Sequence, residues 1–375
     1  MRVVIAKKLL SAVGGSEAHA RVLARALRER GHDVTLVGLR PAWRRPGIPA
    51  AVYEAPSGPV EVTQDRVRYL FVPVRGGRAG AAVDGLLPTS LVSTRELGRA
   101  VAGADVVHSI AREWAGSLER AARAAGAAFV ETPLVHPGQR FSGDAGAEIA
   151  RYRRDDAVIA LTDWEASWYR RRGARSVHAT GLAPVLAPLP DVPMEPATVL
   201  FVGRKERYKG YHALRDAAEI VWRSRPEARF VAIGQAAWTA AFRRPRHDVR
   251  WIERGVVSEA QKAEAYVRAT VFAMPSRHET FGHTYLEAWT AWRPVIAGDI
   301  PPLREVVRDG VDGLCVPQEP AAIARAILAL LGDPLRARRM AEAGRLRVQE
   351  RWTWEKVAER TEGAYAAAIT NAATA

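Results

Sequence analysis

The segment Pro275 to Ala288, PSRHETFGHTYLEA, concentrates the residues of this chain that could do chemistry. Glu279 and Glu287 stand eight residues apart, one in a loop and one within the first turns of a predicted helix. Carboxylates are acceptor-only groups, so each suits a pair of sugar hydroxyls. Gly282 permits close backbone approach, and the amides from Phe281 through His283 to Thr284 would face an anion at the helix terminus. A second cluster, GRKERYKG, runs from Gly203 to Gly210 behind a short apolar stretch. Arg204 and Lys209 flank its turn, and a guanidinium fork beside an ammonium suits a diphosphate. There is no Walker-type phosphate loop and no Asp-x-Asp triplet, so the cations are expected to take the place of Mg²⁺ and no metal site is expected. Taken singly, each cluster also fits ordinary solvated charge on a helix face or turn.

These groups need elements to hold them. Short apolar runs at Arg2 to Ala6, Val34 to Val37, Tyr69 to Val72, Asp105 to His108, Ala127 to Val130 and Ala157 to Leu161 alternate with Ala/Arg-rich helical stretches. Residues 181 to 196 hold five prolines and little periodicity, which reads as a linker. The rhythm then restarts with strands at Thr198 to Val202, Arg229 to Ile233, Val249 to Ile252, Val271 to Met274, Val295 to Ala297 and Leu314 to Val316. Ser258 with Gln261 makes a capping box for the helix ending near Arg268. Two α/β doubly wound halves are therefore expected: 1–180 as a Rossmann-like domain, 181–196 as a hinge and 197–351 as a second such domain. A helix in 352–375, with a stripe at Trp354, Val357, Ala358, Thr361 and Tyr365, is expected to cross back onto the first. Ligands of such sheets bind beyond the carboxyl ends of the strands, so the natural site is a cleft between the halves.

Composition narrows the classes. With 48% apolar and 26% charged residues the chain is neither disordered nor fibrous. Its longest stretch without Asp, Glu, Lys or Arg, Ser176 to Pro190, contains three prolines and is too short to span a bilayer. No secretory signal is read at the amino terminus, and a cytoplasmic location is expected. Cys315 is the single cysteine, which excludes an internal disulfide. The net charge of +14 raises the question of an anionic partner, yet 49 of the 55 basic residues are arginine, a compositional bias that spreads charge without forming a tail. Nucleic acid is not expected as a partner; peripheral contact with an anionic membrane is kept as an alternative.

The order of motifs, from Gly14-Gly15 through GRKERYKG and PSRHETFGHTYLEA to PVIAGDIPPLREVVRDGVDGLCVP, resembles the retaining glycosyltransferases of family 4. The resemblance covers nearly the whole chain and is strongest in the second half. It implies the GT-B fold of two facing Rossmann-like domains and a nucleotide-diphosphate sugar, UDP- or GDP-linked, as co-substrate. It further implies that Glu287 binds the ribose, Glu279 the transferred sugar, and Arg204 and Lys209 the departing diphosphate. Gly203, Gly282, His283, Thr284, Gly15 and Val256 would complete the donor site, while Gly14, Ser16 and His136 would serve a hydroxyl-bearing acceptor. The family's His-x-His is reduced here to His108, Ser109 and Ile110, so either His108 serves as the catalytic histidine, or another residue such as His136 does, or the site works without that contact. The chemistry implied is sugar transfer with retention, by front-face attack, since no second nucleophilic carboxylate is apparent. A nucleotide-sugar epimerase, or a non-enzymatic module binding anionic surfaces, is the competing reading.

Overall fold

The computed structural model describes residues 1–11, 14–55, 58–84, 91–139, 142–236 and 248–374. The described chain divides into two compact units, Met1–Leu182 with Trp354–Ala375, and Ala183–Thr353.

In the first unit eight strands form one sheet: β1 (Arg2–Ala6), β2 (Asp33–Leu39), β3 (Val60–Gln64), β4 (Val67–Val72), β5 (Val106–Ile110), β6 (Ala128–Thr132), β7 (Ala157–Ala160) and β8 (Val177–Ala179). Their order is β3-β4-β2-β1-β5-β6-β7-β8, and all neighbours are parallel except β3 and β4. The sequence reading missed β3 and β8. Residues Asp65 and Arg66 both take positive φ, 49° and 62°, to close the β3–β4 hairpin, and neither is the glycine that usually announces such a turn. The helix Gly15–Glu29 buries Ala20, Leu23, Ala24 and Leu27 on one side, the 3.6-residue stripe that a half-covered helix needs.

The second unit holds β9 (Thr198–Val202), β10 (Arg229–Ile233), β11 (Trp251–Arg254), β12 (Val271–Met274), β13 (Val295–Gly298) and β14 (Gly313–Val316). All six are parallel in the order β11-β10-β9-β12-β13-β14, which is the doubly wound order with its reversal between β9 and β12. Strands β9, β12 and β13 are buried along their length, as a sheet covered on both faces requires. The third strand starts later than the apolar run suggested. Val249 is 93% exposed, and it is Trp251 that enters the core, stacked on Phe230.

The carboxyl-terminal helix Trp354–Thr374 belongs to the first unit. It buries Val357, Ala358, Thr361, Ala364, Tyr365 and Ala368 against β6, β7, β8 and the helix Gly15–Glu29. Trp352, two residues before it, stays with the second unit, parallel to Trp289 and edge-on to Phe281. The proline-rich segment is likewise anchored to the second unit: the Glu195 amide donates to Arg268 O at 2.7 Å, and Thr270 Oγ1 donates to Glu195 O at 2.9 Å.

Candidate active site

Strands β9 and β12 sit side by side at the sheet's reversal, so the segments leaving their carboxyl ends must diverge around a common space. Those segments are the two clusters singled out above. After β9 the chain passes Gly203 and Arg204, makes a single 3-10 turn at Arg207–Lys209 and enters the helix Tyr211–Ser224 through Gly210 at φ 81°. A side chain at Gly210 would meet Pro275 O at 2.5 Å, so glycine is needed where the two segments press together. Their backbones are joined directly, the Arg277 amide donating to Tyr208 O at 2.6 Å. Gln318 clamps both, its amide nitrogen donating to Pro275 O at 2.8 Å and Tyr208 O at 3.2 Å.

The structure brings Lys209 onto Glu279 in a close ion pair with both side chains largely buried. Arg204 remains mostly exposed, its guanidinium hydrogen-bonded to the Tyr208 hydroxyl and 3.4 Å from Glu206. Lys205, between them, turns inward instead: its ammonium pairs with Glu253 and donates to Arg254 O at 2.7 Å. Burial opposes ionisation of Glu253, but hydrogen bonds from Lys205, Tyr211 and Trp251 outweigh it and leave that carboxyl below its usual range. Lys205 thus fastens the loop to the strand beside it.

The helix His283–Thr290 starts at Gly282, φ 81°, a residue with no side chain to cap its first amides. A residue with a Cβ at Gly282 would collide with the Tyr285 ring. His283 and Thr284 occupy the first turn, Thr284 buried with its hydroxyl 3.8 Å from Met274 Sδ. Desolvation lowers the His283 imidazole, although Glu287 pulls it the other way, which favours the neutral ring. Glu287, one turn further on, is 0% exposed and lies 3.9 Å from His283 Nε2. Gly203 packs beside the end of β12, where an added Cβ would lie 3.2 Å from Met274 Sδ. Val256 is exposed beyond β11, next to Gly255, whose carbonyl accepts from the Gly234 amide at 3.0 Å. Among the described residues no three His, Cys, Asp or Glu side chains gather as metal ligands.

Two family descriptions match this chain: "Glycosyl transferase 4-like domain" over residues 14–184 and "Glycosyl transferases group 1" over residues 190–347. The chain belongs to the GT-B glycosyltransferases, family 4-like. An alpha-maltose-1-phosphate synthase of Mycobacterium tuberculosis is 34% identical over 217 residues, covering 53% of each protein. A phosphatidyl-myo-inositol mannosyltransferase of the same species is 33% identical over 195 residues, covering 48% of this chain and 49% of the relative. The chain spans about half the length of the curated relatives it matches. Among solved structures, sucrose-phosphate synthase from Thermosynechococcus elongatus aligns with a TM-score of 0.74 at 19% identity, over 97% of this chain and 98% of its own. The Anabaena protein HepE, solved with UDP and glucose, aligns with a TM-score of 0.72 at 15% identity, over 97% and 98%. At these identities the structural likeness speaks for the fold.

In the first unit, Gly14 caps the helix Gly15–Glu29 at φ 122°, where glycine alone is comfortable. Ser16 donates to Glu17 Oε2 at 2.9 Å, and Glu17 lies 3.9 Å from buried Lys7, which also pairs with Glu113 at 3.4 Å. His136 holds its own loop, with Nδ1 2.8 Å from Gln139 Oε1 and its carbonyl accepting from Ser142 Oγ at 2.6 Å. Gly14 caps, and Gly15 and Ser16 open, the helix that follows β1, and His136 follows β6, so all come after the carboxyl ends of their strands, the end of such a sheet where ligands bind.

His108 corrects the sequence reading. It is 1% exposed, with Nδ1 2.8 Å from the Tyr365 hydroxyl and Nε2 2.7 Å from Thr132 Oγ1. Both ring nitrogens are spent inside the core under the carboxyl-terminal helix, so His108 is a packing histidine. Ile110, at the family's second histidine position, is also buried. Burial, with a smaller contribution from His19, lowers the His108 pKa to about 3. A histidine depressed in the folded state takes up its proton mainly on unfolding, so its share of stability is present above pH 6.5 and is lost as pH falls towards 3. The slope within that window is about 1.4 kcal/mol per pH unit at most. Acid denaturation between pH 7 and 4 should therefore flatten in His108→Gln relative to the parent; equal slopes would show that the ring is solvated.

Sequence reasoning missed three partners that the structure supplies. Lys262 and Tyr266, four apart on the helix Glu259–Arg268, bind Glu287, and Tyr365 binds His108. The spacing of 262 and 266 was a usable sign of one helix face, but nothing in it pointed to residue 287.

Proposed function

We propose that the protein transfers a sugar from a nucleotide-diphosphate sugar to a hydroxyl acceptor with retention of anomeric configuration. The observation that carries this reading is the meeting of the segments after β9 and β12, with Lys209 on Glu279 beside a helix start at Gly282 and Glu287 one turn beyond. Family membership supports sugar transfer, and the nucleotide bound by HepE supports a nucleotide-linked donor.

In this reading Glu287 accepts from the ribose diol. Arg204 and Lys209 hold the diphosphate together with the first amides of the helix His283–Thr290, and Glu279 accepts from hydroxyls of the transferred sugar. As the bond between the anomeric carbon and the phosphate oxygen breaks, negative charge grows on the diphosphate. The cations and amides stabilise it there, a contribution that usually dominates in such sites. The acceptor oxygen attacks the same face, and its proton passes to the departing phosphate oxygen. Gly14, Gly15, Ser16 and His136 are assigned to acceptor and donor contacts on the family resemblance. UDP and GDP are both to be tested as the nucleotide, and the phosphorylated and lipid-linked compounds that the relatives' names print suggest the acceptor classes to test first.

A thermal-shift panel of UDP, GDP and their sugars tests the reading, since a ligand at a hundred times its Kd adds about 2.7 kcal/mol to stability. Glu287→Ala should abolish the shift by the free nucleotide. Glu279→Ala should keep that shift and lose turnover of the sugar donor. Two variants alike in both assays would overturn the division of roles. Turnover should survive EDTA without a glycosyl adduct on any Asp or Glu; metal-restored activity or a trapped adduct detected by mass spectrometry would overturn the metal-free, front-face route.

A further inference from the structure

Glu287 is fully buried, and each of its oxygens has a partner from the same helix. Lys262 Nζ lies 2.9 Å from Oε1, and Tyr266 Oη lies 2.9 Å from Oε2. The ammonium has three N–H donors, and three acceptors surround it: Glu287, Glu259 Oε2 at 2.8 Å and Val185 O at 2.9 Å. A lysine with every proton assigned is held in one direction, and so is the carboxylate it faces. An ionised carboxylate offers about four lone-pair sites. Lys262 and Tyr266 use one on each oxygen, and the proposed ribose role calls on the one that remains on each. That remainder matches a vicinal diol.

We infer that Lys262 and Tyr266 are positioning residues that keep Glu287 aimed for the ribose diol of the nucleotide. The inference rests on the proposed role of Glu287 as the ribose acceptor. A purely structural ion pair would not need this geometry, because apolar packing of similar volume is as stable or more so. Lys262 also joins the nucleotide side of the site to the proline-rich segment, through the Val185 carbonyl.

The experiment measures the affinity of the full chain for UDP and GDP, for their 2′,3′-dideoxy counterparts, and for inorganic pyrophosphate. The parent should prefer the diol-bearing nucleotide by roughly ten- to a hundredfold, the worth of one or two charge-assisted hydrogen bonds. Lys262→Met should erase most of that preference while leaving dideoxynucleotide and pyrophosphate affinities as they were, and Lys262→Arg should restore part of it. Tyr266→Phe, which removes one oxygen and keeps the packing, should lower the preference by roughly three- to tenfold and carries the test if Lys262→Met fails to fold. A parent-like preference in folded Lys262→Met, or in Tyr266→Phe, overturns the positioning role. A parent that binds nucleotides without regard to the diol overturns the ribose assignment of Glu287 and this inference with it. A parent that binds neither nucleotide overturns the proposed function itself.

Discussion

Lys209→Ala should lower the rate of sugar transfer by roughly ten- to a thousandfold, because removing a charge-assisted contact to a developing anion costs about 1.5 to 4 kcal/mol. The structure adds a second consequence. Lys209 is paired with Glu279, and both side chains are largely buried, so the alanine variant leaves a carboxylate in a confined site without its cation. Lys209→Ala is therefore expected to melt earlier than the parent as well as turn over more slowly. Arg204→Ala should give the rate loss alone, since that side chain is 58% exposed. Steady-state release of nucleotide from the sugar donor, read beside thermal melting, separates the two. If both variants retain parental turnover, the diphosphate is held elsewhere. If Arg204→Ala loses stability as well, the Arg204 side chain is one of the contacts that fasten the loop.

Truncation after Thr353 should unfold the first unit. The lost helix carries Val357, Ala358, Thr361, Ala364, Tyr365 and Ala368, all buried, and Trp354, whose ring stands 5.7 Å from His19. Tyr365 is 0% exposed, and its hydroxyl is bonded to His108. Its replacement by alanine should cost about 3 to 5 kcal/mol for the lost aromatic, with about 1 to 3 more for the orphaned imidazole nitrogen. The cut must fall after Thr353 because Trp352 packs on Trp289 in the second unit, and removing it would damage both. Arg30 and His32 meet Glu362 at 2.7 and 2.8 Å on the surface, contacts whose loss adds little. Limited proteolysis and thermal melting of the truncated chain are the measurements. A truncated protein that resists protease and melts like the parent would show that the helix is an ornament on an already stable sheet.

Two largely parallel sheets and the residues after β9 and β12 were legible in the sequence. Parallel strands buried on both faces leave continuous apolar runs, and the helices between them leave a 3.6-residue stripe, so local pattern suffices. Even so, β3 escaped, because an edge strand closed by Asp65 and Arg66 lacks both a buried run and a turn glycine. The clusters Gly203 to Gly210 and Pro275 to Ala288 were recognisable because each is contiguous, and contiguous residues carry their own spacing.

Tertiary structure decided which of these residues have partners, and what those partners are. That Lys209 meets Glu279 across seventy positions, or that Lys262 meets Glu287 across twenty-five, depends on strand order, and strand order reverses between β9 and β12 without any mark in local composition. His108 was a catalytic candidate because it stands at the first position of the family's His-x-His. Only the return of a helix from 257 positions away turned it into a core residue. Sequence determined the groups and their local geometry through short-range periodicity. Burial and pairing depend on contacts distant along the chain, which only the folded structure brings together.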